Sequence, residues 1–333
     1  MTPPTTSPAG SERPRLAPTG RRHVADPIFK LVAIACATSV LVLLTAMIVR
    51  TTIEAWPVFA DQGVIGFITG DLWDPGQSRS EVTGTYGAWP FLYGTLKASA
   101  IGVLFAVPLA IGIALFINEI APAWLKRPLT YGVEMLAMVP SVVYALVGIY
   151  FFRIEIWRPI GQFVADSPLG VIPLFSGPVT NSSYWAAGNI LAIMILPIIT
   201  AIVRETFAQT PVDERLAAYA MGATRWEVMR QVIVPRGFPG IVGGTMLGLG
   251  RALGETIAVA FLIGASQRRD GSIFFAGDAV TSLIFNTFQD ARPEGVWALL
   301  AIGVTLFVIT MIVNVVARLI VYRVGRTVGD AAV

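Results

Sequence analysis

Apolar runs long enough to cross a bilayer recur along this sequence, and they constrain the fold more than any other feature. The first covers residues 28–49 and is interrupted only by Lys30 near its start. At about 1.5 Å of rise per residue, a helix of this length spans the roughly 30 Å hydrocarbon core. Further runs occupy residues 93–117, 129–152, 188–203, 238–264 and 295–317. Six such spans predict an all-α integral membrane protein. A helix satisfies its own backbone N–H and C=O groups where no water is available to do so. Composition agrees: 55% of the 333 residues are hydrophobic and only 14% charged, with a mean hydropathy of +0.69, far from the values of soluble domains.

The segments between the runs divide the chain. Residues 1–27 are rich in Pro, Thr, Ser and Arg and are expected to be a disordered tail, because they cannot bury enough apolar surface to fold. The run that follows is longer than the core of a cleaved leader and is read as a retained first span. With the loop after it, which carries Glu54, Asp61, Asp71, Asp74, Glu81 and several aromatics, it makes a first segment of residues 28–92. Residues 93–320 hold the other five spans and a polar hairpin at 204–236, and residues 321–333 form a short tail. Cys36 is the single cysteine and His23, in the basic tail, the single histidine, so a disulfide framework or a Cys-based metal site is excluded.

Charge orients these spans. With the N-terminus in the cytoplasm, the cytoplasmic side receives five basic residues of the N-terminal stretch, Lys126 and Arg127, five between Arg204 and Arg236, and three from Arg318 onward. That is fifteen, against eight on the other side, with Arg251 left inside a span. The positive-inside rule then predicts N-in, C-in topology and a cytoplasmic 204–236 hairpin. The basic residues flank spans and form no single patch, so the net charge of +3 does not point to nucleic acid.

Within the hairpin, residues 212–221 and 224–234 read as short helices separated by Gly222-Ala223. Leu216, Ala217 and Ala220 offer one small apolar face and Trp226, Met229 and Ile233 another. Gly222 suits a sharp helix end, and Pro235 is expected to stop the second helix before the next span. Period alone leaves two readings open, an amphipathic connector at the bilayer surface or a docking element.

The fifth span carries Arg251 and Glu255 near its middle. Four residues apart, they are expected on one helix face and able to pair. A charge at mid-membrane costs roughly 2.5–3.5 kcal/mol, so such residues face a bundle interior or a water-filled route. Gly240, Gly244 and Gly248, on the same helix, allow close packing against a neighbour. The pair is either a structural salt bridge or an anion site, since guanidinium offers a planar fork of donors to oxyanions. In the third span, Pro140-Ser141 is expected to kink the helix, and Glu134 to be a solvated carboxylate at the cytoplasmic end.

No G-x-x-x-x-G-K-[ST] motif is possible: the only lysines, Lys30, Lys97 and Lys126, follow Phe29, Leu96 and Leu125. A chain of this kind that uses ATP needs another chain to hydrolyse it. No HExxH and no plausible G-x-S-x-G is present either, which argues against a membrane hydrolase. From the residues alone, an ion-driven secondary transporter or channel for an anion is the alternative to an ATP-driven one.

Three motifs carry a resemblance. Residues 212–235, with Ala217-Ala218, Gly222 and Val232-Ile233-Val234-Pro235, resemble the "EAA" loop of ABC-importer permeases. The motif's Glu, six residues before the Gly, is replaced by Leu216, with Glu214 two positions earlier. RALGETIAVAFLIG at 251–264 and EMLAMVPSVVYALVG at 134–148 resemble permeases of phosphate importers of the PstC type, over residues 90–320. The resemblance implies a type I ABC-importer permease of a prokaryotic plasma membrane, without ATPase activity of its own and with no bound cofactor, ATP and Mg residing on a partner. It implies Glu214, Ala217, Ala218, Gly222 and Pro235 as parts of the loop that couples to the ATPase, and Arg251 and Glu255 as part of the phosphate path. The implied partners are a second, PstA-type permease, two ATP-binding subunits and an extracytoplasmic phosphate-binding protein.

Overall fold

The computed structural model describes residues 25–75, 84–267 and 271–330. The N-terminal tail through residue 24, with His23, lies outside the described residues, as do Arg79, Glu81, Arg268, Arg269 and residues 331–333. Residues 1–50 and 51–333 form two units. In the first, helix α1 (Ala25–Gln62) begins at Ala25 and extends the expected first span toward the N-terminus.

In the second unit, the end of α1 is followed by α2 (Val64–Thr69) and a short antiparallel pair, β1 (Trp73–Asp74) with β2 (Thr85–Tyr86). These pack with the start of α3 (Trp89–Leu115), with α12 (Val280–Thr287) and with α13 (Pro293–Asp330) in a small core built on Phe67, Tyr86, Phe91 and Ile302. Helix α13 continues to Asp330, so residues 321–330 prolong the last helix where a separate tail was expected.

The larger core lies between α3, α7 (Tyr184–Ala208), α10 (Val234–Gly254) and α11 (Ile257–Ile263), filled by Ile190, Ile195, Ile199, Phe207 and Leu262. Helix α7 is its axis, with two thirds of its most apolar 18-residue window buried. The stripe of small residues on α10 faces it as the spacing predicts: a Cβ at Gly240 would lie 2.1 Å from Thr206 Oγ1, and one at Gly248 2.8 Å from Ile199 Cδ1. The two backbones approach as only glycine allows.

Among the described residues, five helices are long and apolar enough to cross a membrane, and six spans result when one bent pair counts as a span. That pair is the expected third span, bent where Pro140-Ser141 was expected to kink it. Helix α4 (Ala123–Met138) and the helical run Ser141–Asp166, which begins with α5 (Ser141–Val147), meet at 96°. The cause is local. Val139, ahead of Pro140, adopts ψ 128°, the extended conformation that a following proline imposes. Pro140 therefore breaks the helix, a sharper event than the kink the sequence indicates.

The fifth span also departs from expectation at both ends. Pro235 does not stop the preceding helix. A π-helical turn, Met229–Ile233, leads without interruption into α10, and the wider turn makes room for the proline ring. One helix thus runs from Arg225 to Gly254. At its other end the expected span of 238–264 is broken, because Glu255 takes φ −72°, ψ 128° and α11 begins afresh at Ile257.

Candidate functional site

The polar hairpin is a compact, anchored element. Helix α8 (Val212–Ala220) ends at Gly222, whose φ of +89° is the left-handed conformation glycine adopts without strain. Nothing lies within 4 Å of its absent Cβ, so conformation and not space selects the residue. Thr224 opens α9 (Arg225–Val228) with a capping box: its Oγ1 accepts from Glu227 N at 3.3 Å, and Glu227 Oε2 accepts from Thr224 N at 2.7 Å.

A single arginine fastens α8 to the bundle. Arg215 Nη1 donates to Glu119 Oε1 at 2.8 Å, and Nη2 donates to the Phe207 carbonyl at 2.7 Å. The side chains of Arg215 and Glu119 are only 21% and 11% exposed. Glu119 sits in a π-helical turn, Phe116–Ile120, at the end of α3. It is 96 residues from its partner, and no spacing in the sequence announces the pair. Glu214, by contrast, meets Arg236 at 3.7 Å where both are partly exposed, a geometry that contributes little.

The apolar faces of the hairpin are divided differently from the expectation. Leu216, Ala217 and Ala220 are exposed, while Ala218, Val228, Met229 and Ile233 are buried. Leu216, Tyr219, Met221 and Trp226 consequently form an outward apolar group, Met221 being 84% exposed. Large exposed apolar groups on a rigid element mark an interaction surface.

Arg251 and Glu255 do not form the expected pair. Arg251 occupies the last turn of α10 and is exposed, whereas Glu255 has left the helix. Among the described residues no ion pair joins them. Each charge is instead matched to a helix end. Arg251 lies at the negative, C-terminal end of α10, and the Glu255 carboxylate accepts from Ala258 N at 3.4 Å at the start of α11. The Glu255 carbonyl accepts from Thr281 Oγ1 at 2.7 Å, which ties the break to α12.

The two broken spans meet. Helix α11 packs on α5, which carries the Tyr144 hydroxyl. That hydroxyl donates to the Leu136 carbonyl at 2.7 Å, across the 96° bend. Irregular backbone at membrane depth is tolerated where it is buried in protein or lines a water-filled cavity. Arg251 itself is exposed, one turn before the break at Glu255.

At the opposite end of α7 and α10 from the hairpin lies a cavity of about 630 Å³, lined by Trp73, Tyr86, Gln267, Asp278, Asn286 and Arg292 among others. Asp278, 5% exposed, was not singled out in the sequence. Burial pushes its carboxyl above the ordinary range, opposed by hydrogen bonds from Ser282 and from Ala279 N at 2.8 Å.

Residues 89–326 match the family of binding-protein-dependent transport system inner membrane components. The phosphate transport system permease protein PstC of Haemophilus influenzae is 39% identical over 308 residues, covering 91% of this chain and 95% of that protein. The protein of the same name from Mesorhizobium japonicum is 38% identical over 320 residues, 95% of each. The chain belongs to this permease family, in its PstC branch. Solved importers share the fold: a bacterial ABC transporter that imports the acidic polysaccharide alginate aligns with a TM-score of 0.61 at 16% identity, over 90% of this chain and 98% of that one. The inward-facing MetNI methionine ABC transporter aligns with a TM-score of 0.53 at 18% identity, over 72% and 94%. Members of this family are inner membrane components of transport systems, and the multi-pass helices described above fit that description.

Proposed function

We propose that this permease carries inorganic phosphate inward across a prokaryotic plasma membrane, driven by ATP that a partner chain hydrolyses. The observation that supports the substrate is the agreement of relatives named as phosphate permeases over nine tenths of the chain. In this reading the termini and the 204–236 hairpin are cytoplasmic, as the charge bias favours. The exposed group of Leu216, Tyr219, Met221 and Trp226 docks on an ATP-binding subunit, while Gly222 and the π-turn before Pro235 set the shape of the loop. Leu216 supplies an apolar contact where the motif has a carboxylate. Glu214, Ala217 and Ala218 lie on the same helix, Ala218 seating it on the bundle.

A second permease of the PstA type completes the pore, two ATP-binding subunits serve the pair, and an extracytoplasmic binding protein delivers phosphate to the end that bears the 630 Å³ cavity. Arg251, between the broken third and fifth spans, compensates the charge of the passing anion, and Glu255 holds the break that presents it. Uptake of radiolabelled phosphate by the assembled complex in vesicles tests this reading. Excess sulfate should leave uptake unchanged, and Arg251→Gln should lower it by tenfold or more, about the worth of one charge-assisted contact. Equal competition by sulfate would overturn the substrate, and unaltered uptake by Arg251→Gln would overturn the role of the arginine.

A further inference from the structure

A second cationic site lies apart from Arg251, at the hairpin end of the bundle. There a cavity of about 390 Å³ is lined by Asn118, Lys126, Arg127, Tyr131, Glu134 and Arg204, with Ile117 and Thr130. Three cations and one carboxylate leave an excess of two positive charges. The local bonds do not use up their donors. Lys126 Nζ donates once, to the Asn118 carbonyl at 2.6 Å, and Arg204 Nη2 reaches Glu134 only at 3.4 Å. Arg127 is exposed and has no ion pair or hydrogen bond among the described residues.

The surface beside the cavity indicates the neighbour it faces. Trp124, Arg127, Tyr131 and Met135 follow one another at helical spacing on α4, and all four are exposed, Trp124 at 75%. Met138 continues the face at 79% exposure. Along this line the helix presents an aromatic, a cation, an aromatic and then apolar side chains. That is the order of a headgroup layer passing into acyl chains. Basic pockets between spans are the usual seats of phosphate-bearing lipid headgroups.

We propose that this cavity binds a phosphoryl oxyanion, and specifically the phosphate of an anionic phospholipid headgroup. Lys126, Arg127 and Arg204 bind its oxygens, the Tyr131 hydroxyl lies beside them, and the acyl chains lie along Met135 and Met138. Free inorganic phosphate presents the same chemistry and is the other source to distinguish. The site adjoins the docking element directly: Asn118 lies in the π-turn whose next residue, Glu119, holds Arg215 of α8. The inference does not depend on the identity of the transported substrate.

The test uses the full chain in detergent, titrated with phosphatidylglycerol or phosphatidylcholine and read by native mass spectrometry. Wild-type protein should retain phosphatidylglycerol in preference to phosphatidylcholine. Lys126→Gln with Arg127→Gln should weaken that retention about fivefold per charge removed. Glu134→Gln, which removes the competing carboxylate, should strengthen it, so the site is tested in a direction that misfolding cannot imitate. Millimolar inorganic phosphate added as competitor separates the sources: displacement of the lipid assigns the site to the free ion, and no displacement assigns it to the headgroup. Equal retention of the two lipids, with no response to these substitutions and no binding of phosphate, would overturn the proposal.

Discussion

Two arginine–glutamate couples in this permease look alike on paper and fold in opposite ways. Arg215 and Glu119 are 96 residues apart and form a 2.8 Å ion pair with little exposure. Arg251 and Glu255 are four apart, the spacing at which helical residues pair, and they separate because the helix ends between them. The difference teaches where a charge in this fold finds compensation. The first couple uses a partner of opposite charge and a backbone carbonyl. The second uses two helix ends, each opposing the charge beside it.

The largest consequence falls on the joined couple. Arg215→Ala leaves the largely covered Glu119 carboxylate without its cation and takes the guanidinium donor from the Phe207 carbonyl. Removing one member of a buried pair costs about 3 kcal/mol. Thermal unfolding of the purified permease should record that loss, and the hairpin, freed from the bundle, should bind poorly to the ATP-binding subunit proposed for it. Arg215→Ala combined with Glu119→Ala should unfold less readily than Arg215→Ala alone, because no uncompensated charge is left behind. If the double variant is as unstable as the sum of the two single ones, the couple is not a pair.

An exchange of charges tests the separated couple. Arg251→Glu together with Glu255→Arg would preserve a salt bridge if one existed, and stability would be unchanged. With helix ends as the partners, both charges are placed wrongly, and the exchange should cost about 1–2 kcal/mol.

The same contrast explains how much of the molecule could be read in advance. Six apolar stretches, the glycine face of α10 and the turn at Gly222 were legible, because each rests on local composition or on a single residue's backbone freedom. The breaks were legible only in part. Pro140 marks the bend of the third span, but its 96° size is set by the extended conformation of Val139. Pro235 looks like a stop in the sequence, yet the π-turn before it carries the helix through. Gly254, just ahead of Glu255, is only a weak local sign of a break. The conformation of Glu255 is held from outside, by the Thr281 hydroxyl on its carbonyl. The roles of Glu119, Tyr144 and Asp278 were hidden for a related reason: each depends on contacts between distant segments. Glu134, read as a solvated carboxylate, is half-exposed and turned toward Arg204 at 3.4 Å.

Tyr144 provides the next smaller effect. Its hydroxyl crosses the bend of the third span to the Leu136 carbonyl at the end of α4, which also accepts from Val139 N at 3.3 Å. Tyr144→Phe keeps the ring and removes that bond, which should cost about 1 kcal/mol. Amide exchange should rise around Leu136 to Val139 and not in α7. A uniform rise throughout the bundle would mean that the hydroxyl supports the whole core and not the bend.

Asp278 is the third way of keeping a charge, with neither a cationic partner among the described residues nor a long helix end. Its burial raises the folded carboxyl above the ordinary aspartate value of about 3.9. The sign follows from linkage. Below that value both folded and unfolded states are protonated, and burial has no pH-dependent cost. As the pH rises from there toward the folded value, the unfolded state ionises more readily, and the wild type loses stability relative to a neutral side chain. Asp278→Asn retains an acceptor for Ala279 N and removes the titration. It should therefore match the wild type in acid and exceed it at neutral pH by less than the Tyr144 change costs. Unfolding midpoints of the two proteins between pH 4 and 7 would separate this from the opposite case. A wild type that gains on the variant as the pH rises would place an unseen cation beside the carboxylate, and Asp278 would join Glu119 among the paired charges.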